Sequence, residues 1–243
     1  RRVPAPESYT DVSVDTASLV GLFMGDGGCT NNTTFTNANP AVIAEFTRLV
    51  ESFGGSVIVG KSQNAGKATT FSVPGIRDFI NTHGLRSKSV HKRVPAHFWG
   101  MPDASVAAFL NRLWARDGSV STNSNSRLEL GLSSQGLLED VRFLLLRLGI
   151  QSRVYSRLAW YRLPDGTKKY FPSWRLSIAA RADALDSLDL VGPILGKESA
   201  CAELRTQLDR TVARVTTDVV PVSAEDLIEE GVMLPARYKR PAG

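Results

Sequence analysis

The chain has 243 residues, enough for one large domain or two small ones, each with a core of its own. Hydrophobic residues make up 42% and charged residues 22%, and no apolar run approaches membrane-spanning length, which excludes membrane-embedded and unstructured classes. A net charge of +5 with a pI near 9.4 tilts towards a polyanionic partner, because Lys and Arg displace counterions condensed on phosphates. Cys29 and Cys201 stand far apart in no metal-ligand spacing and read as reduced, apolar thiols.

Residues 1–17 read as a polar N-terminal arm without the apolar core of a secretory signal, so the expected location is cytoplasmic (nucleoid-associated) or organellar. The apolar run 18–26 predicts a helix stopped by Gly27–Gly28. The Thr- and Asn-rich stretch after it has room for two strands and a tight turn. Residues 40–53 predict an amphipathic helix with Pro40 in its first turn and Gly54–Gly55 at its end. A hairpin follows across Asn64-Ala65-Gly66, then a short helix over 74–82 and a basic stretch containing Lys88 and Lys92.

The pattern then restarts. Residues 105–117 predict an apolar helix ending in Asp-Gly, followed by a polar hairpin and an amphipathic helix over 135–149 ending in glycine. A longer hairpin with its turn at Pro164-Asp165-Gly166, and a short helix over about 180–188, complete the series. The anchors correspond pairwise: Asp26 with Asp117, Gly54 with Gly149, Lys88 with Lys197. The expected division is an arm (1–17), a first repeat (18–94), a linker (95–104), a second repeat (105–212) and a C-terminal tail (213–243).

The segments Leu19-Val20-Gly21-Leu22-Phe23-Met24-Gly25-Asp26-Gly27 and Leu110-Asn111-Arg112-Leu113-Trp114-Ala115-Arg116-Asp117-Gly118 resemble the signature of the LAGLIDADG homing endonucleases. The stretch around the linker looks most like the endonuclease domains embedded in inteins. In the second segment Arg112 and Arg116 stand where the family has small residues that let two helices approach. The resemblance implies an α+β fold of two pseudo-symmetric αββαββα repeats. The motif helices would pack at the centre, and curved antiparallel sheets would form a saddle over DNA. It also implies a monomer that cuts both strands of a long double-stranded DNA site, with no membrane and no protein partner.

On that resemblance Asp26 and Asp117 meet and bind Mg²⁺ or Mn²⁺, with Ca²⁺ as a non-cleaving substitute and the carbonyls of Gly25 and Arg116 as further ligands. Two adjacent carboxylates repel unless a cation neutralises them, and hard oxygen donors select such ions. Lys88 and Lys197 are the basic residues that would assist, with Lys92 the alternative to Lys88, and Asn37 and Ser134 resemble a further polar position. DNA reading would fall to Thr30, Asn31, Asn32, Thr34, Thr36, Lys61, Gln63 and Lys67 in the first half. In the second it would fall to Thr122, Asn123, Asn125, Arg127, Arg153, Arg157, Arg162, Lys168, Lys169 and Arg175.

Other readings are weaker. His83, His91 and His97 show no nucleophile–base arrangement, and the four tryptophans read as packing residues. A nuclease-inactive binding protein on the same scaffold, an RNA maturase or a transcription regulator, is the alternative function; the retained aspartates favour an enzyme. A chain starting at Arg1 and ending Pro-Ala-Gly is not expected to be a complete self-splicing intein.

Overall fold

The computed structural model describes residues 10–30, 32–60, 68–123 and 126–210, and of Asp26 the backbone alone. Helix α1 (Val14–Asp26) begins four residues earlier than its apolar run, because Ser13 caps it by accepting the amide of Thr16. Strands β1 (Gly27–Gly28) and β2 (Thr34–Asn37) follow, then helix α2 (Pro40–Ser52), strands β3 (Ile58–Val59) and β4 (Thr69–Ser72), and helix α3 (Arg77–Thr82). The second series is α4 (Asp103–Asp117), β5 (Gly118–Ser121), β6 (Arg127–Leu132), α5 (Gln135–Arg147), β7 (Arg153–Arg162), β8 (Lys168–Ile178) and α6 (Arg181–Leu190).

The two sheets have the same antiparallel strand order, β1-β2-β4-β3 and β5-β6-β8-β7, so the repeat extends to topology. Both amphipathic helices end alike: Gly54 and Gly149 adopt positive φ, and the amides of Gly55 and Ile150 return to Val50 and Leu145. Helix α7 (Glu198–Arg210) has no counterpart among the described residues of the first series and was not anticipated. Its apolar contribution is a thin line of buried Cys201, Leu204 and Leu208 on an otherwise polar helix, too sparse to stand out as periodicity.

The seam between the halves is the pairing of α1 with α4. A Cβ on Gly21 would lie 2.6 Å from the carbonyl oxygen of Phe109 and 3.1 Å from Cβ of Arg112. One on Gly25 would lie 3.1 Å from Cβ of Arg116. The contacts advance together along both helices, so the two run parallel and their C-terminal ends meet. Arg112 and Arg116 do not hold the helices apart, because the glycines of α1 supply the space that their stems need. Leu19, Val20, Leu22, Phe23, Phe109, Leu110 and Leu113 are buried around this seam. Among the described residues no helix is long and apolar enough to cross a membrane.

Candidate active site and nucleic-acid interface

Each motif helix stops where its chain folds back onto the last turn. A Cβ on Gly27 would strike Phe23, and one on Gly118 would strike Trp114. Both glycines have negative φ, so close approach, not left-handed backbone, requires them. The carbonyls exposed by each helix end then receive a lysine. The ammonium of Lys92 donates to the carbonyls of Met24 (2.8 Å), Phe23 (3.3 Å) and Gly27 (3.4 Å). That of Lys197 donates to those of Gly118 (2.6 Å), Ala115 (2.7 Å), Trp114 (2.9 Å) and Arg116 (3.4 Å). A cation suits a helix C-terminus, where the peptide dipoles concentrate negative potential.

These contacts correct the expected register. The counterpart of Lys197 is Lys92, not Lys88, which is exposed and precedes the short 3₁₀ turn Ser89–His91. Loop geometry between helix and lysine differs in the two halves, so counting residues back from the following element misplaces the match.

Asp117 is half-buried at the end of α4, with Nε of Arg116 3.5 Å from its carboxylate. Burial raises its pKa; the charges of Arg116, Lys92 and Lys197 work against that rise without cancelling it. Lys92 belongs to the first half and Asp117 to the second, so their mutual field places both at one end of the seam. The side chain of Asp26 lies outside the described residues, although its backbone ends α1 beside this cluster.

The donor set suits a hard divalent cation. Among the described residues no three His, Cys, Asp or Glu side chains gather into a closed site. Mg²⁺ does not need one: it is commonly held by one or two carboxylates, with waters and substrate phosphates completing its shell. A desolvated carboxylate beside main-chain oxygens offers that kind of open position. Of the two carbonyls expected to ligate, that of Arg116 already receives Lys197.

The lysine loops are held across the seam. Ser134 N-caps α5 by accepting the amide of Leu137, and its hydroxyl donates to the carbonyl of Lys92 at 2.8 Å. Asp140 of α5 takes both Nε and Nη2 of Arg93 (2.7 and 2.6 Å) and the amide of Val94. In the other direction Asn39, the N-cap of α2, donates to the carbonyl of Gly196 beside Lys197. Asn37 is buried and accepts the amide of Asn39. Asn39 and Asp140 were not singled out from sequence: capping by an Asn-Pro pair is legible there, but the reach into the opposite repeat is not.

The strand register sorts the expected DNA-reading residues. Arg127, Glu129 and Gly131 of β6 share a face with Arg175 of β8, Arg153 and Arg157 of β7, and Lys169. Leu128, Leu130 and Leu132 point the other way into the core. Arg162 and Lys168 oppose each other on that second face, where the hairpin projects past the core with exposed Leu158, Trp160 and Tyr170. The Lys168 ammonium there lies over the Trp160 ring at 4.3 Å. On the first sheet the partly exposed side chains of Thr34 and Thr36 alternate with buried Phe35 and Asn37, and the Thr36 and Thr70 hydroxyls meet at 3.0 Å. Thr30, Asn32 and Asn123 are exposed and Thr122 is partly so. Asn31, Lys61, Gln63, Lys67 and Asn125 lie outside the described residues.

Residues 104–192 match the family described as LAGLIDADG-like domain. The LAGLIDADG two-repeat fold extends to both halves. Full-length WhiA from Thermatoga maritima aligns with a TM-score of 0.52 at 15% identity, over 86% of this chain and 65% of that one. A variant of I-DmoI in complex with its nicked target DNA and manganese aligns at 0.50 and 16% identity, over 75% and 97%. Another I-DmoI structure, described as that of a homing endonuclease, aligns at 0.50 and 16% over 74% and 95%.

Among curated proteins the chain is 29% identical over 147 residues to the replicative DNA helicase DnaB of a Synechocystis strain, covering 58% of this chain and 16% of the helicase. It is 25% identical over 243 residues to the DnaB of Rhodothermus marinus, covering 92% and 25%. A probable translation initiation factor IF-2 of Thermococcus kodakarensis is 40% identical over 70 residues, covering 29% and 6%. The chain thus spans a quarter or less of the length of these relatives.

Proposed function

We propose that this LAGLIDADG protein is a site-specific endonuclease that binds double-stranded DNA across its two sheets and hydrolyses both strands at the shared end of α1 and α4. The observation that carries the reading is the convergence there of Asp117, Lys92 and Lys197, drawn from two halves of the chain. Asp117, with Asp26, would hold divalent ions, preferably Mg²⁺ or Mn²⁺, and such ions polarise a phosphodiester and activate water when bound. Lys92 and Lys197 hold the carbonyl-rich helix ends in one geometry and add positive potential where the phosphorane's charge develops. Outward arginines on the second sheet would bind the duplex, and the parallel seam sets the spacing between the two cutting positions.

The chain resembles, over stretches of different length, parts of two DNA helicases and of a translation initiation factor, proteins without a common activity. That distribution supports an insertable domain, of the intein-embedded kind, over an integral part of any one host. DNA binding without cutting is the competing reading.

The deciding experiment incubates the purified chain with a randomised duplex library and Mg²⁺, with EDTA as control, and sequences the cleaved ends. Recurrent double-strand breaks at related sites, absent with EDTA, support the nuclease. Enrichment of bound but intact duplex under both conditions would leave only the binding role.

A further inference from the structure

On the second sheet's outward face sits a side chain whose type opposes the proposed ligand. Glu129 is a carboxylate in the middle of a surface meant to meet phosphates, yet it is only 5% exposed. Two donors close over it, the Tyr155 hydroxyl at 2.8 Å and Nη1 of Arg175 at 2.9 Å, and Nε of Arg127 forms an ion pair with it at 3.1 Å. The strand register makes this arrangement possible. Tyr155 stands directly opposite Arg175 on the neighbouring strand, and Glu129 lies two pairs along on β6, on the same face. Opposite Arg175 on β6 is Gly131, which puts no side chain of its own between Arg175 and Glu129.

A lone arginine on a sheet surface samples many rotamers, and ordering it on binding subtracts from discrimination. An arginine anchored through one terminal nitrogen is pre-set, and a guanidinium has five N–H groups in a planar fork, more than Glu129 can take. The fork matches the O6 and N7 acceptors that guanine presents in the major groove.

We propose that Glu129 is a positioning residue: it holds Arg175, and with it Arg127, in the orientation that reads guanine in the half-site lying under the second sheet. The inference rests on the DNA-binding reading above and names part of its substrate. It carries an unusual sign. Removing Glu129 takes a negative charge off the face, so affinity for bulk duplex does not fall, while selectivity does. A purely architectural role would lower both together.

The test is selection of bound duplexes from a randomised library in Ca²⁺, which separates binding from cutting, for the wild type, Glu129→Gln and Arg175→Lys. The wild type is expected to enrich guanine at one or more positions of one half-site. Glu129→Gln should weaken that preference about tenfold, the scale of one bidentate arginine–guanine pair, with affinity for random duplex equal or higher. Arg175→Lys keeps the charge but not the fork and should lose guanine at the same position, which decides the matter even where Glu129→Gln fails to fold by circular dichroism. Guanine preference unchanged in Glu129→Gln, unchanged in Arg175→Lys, or absent from the wild-type selection overturns the proposal. A wild type that binds no duplex overturns instead the function on which it rests.

Discussion

The hydroxyl of Ser134 donates at 2.8 Å to the backbone carbonyl of Lys92, so the cap of a second-repeat helix fixes the loop that carries the first repeat's lysine. Asp140, two turns further along the same helix, secures that loop through Arg93 and the Val94 amide. Ser134→Ala removes an N-cap as well as the bridge, and is expected to lower stability by about 1 kcal/mol. In a nicking assay it should slow one strand's cleavage more than the other's, so that nicked circles accumulate from supercoiled plasmid. Equal slowing of both strands would argue against cross-repeat control.

Lys92 and Lys197 occupy matching places, and Lys88 does not. Lys92→Met or Lys197→Met should reduce cleavage on the order of a hundredfold, the range for losing one electrostatic stabiliser of a transition state. Lys88→Met should leave the rate close to wild type. Measured single-turnover rates with saturating protein separate these variants from ones that only bind less well.

Asp117 is desolvated, and its charged form is disfavoured by burial despite three nearby cations. In EDTA, Asp117→Asn is therefore expected to melt no lower than the wild type, while cleavage disappears and duplex binding in low salt persists. Added Mg²⁺ should raise the wild-type melting temperature and affect the variant less. A large loss of stability in EDTA would reveal a structural ion pair in place of a metal ligand.

Gly21 faces the carbonyl oxygen of Phe109, a backbone atom that cannot step aside. Gly21→Ala should destabilise by about 1–3 kcal/mol through overpacking, seen as a lower denaturation midpoint in urea with an unchanged slope.

His83 and His97 share a hydrogen bond at 2.9 Å between Nδ1 and Nε2, among Phe79 and Phe98. Burial, reinforced by the charge of His97, pushes the His83 pKa down from 6.5 to about 4. The unfolded chain then takes up a proton that the folded one resists. The stabilising contribution is complete above pH 6.5 and drains away as pH falls towards 4. His83→Gln should flatten the pH dependence of the denaturation midpoint over that window, and an identical slope in both proteins would remove His83 as its source.

Much of this architecture is visible in the linear chain. The two Asp-Gly helix ends, the paired Gly54 and Gly149, and the alternation of leucines with Arg127 and Glu129 are local patterns whose periods of 3.6 and 2 follow from backbone geometry. They suffice for the order of elements, for the duplication, and for the face of β6 that turns inward. Helix α7 escaped because so few of its residues are apolar.

What folding alone decided are the encounters between residues remote in the chain. Lys92, not Lys88, reaches the end of α1, 68 residues from its partner Met24. Glu129 sinks beneath arginines from two strands, and Arg112 and Arg116 fit a tight seam because glycines stand opposite. Local periodicity dictates which way a side chain points from its own helix or strand. Which distant group it meets depends on how two complete halves pack, and that is a sum over many weak contacts that no single stretch of chain contains.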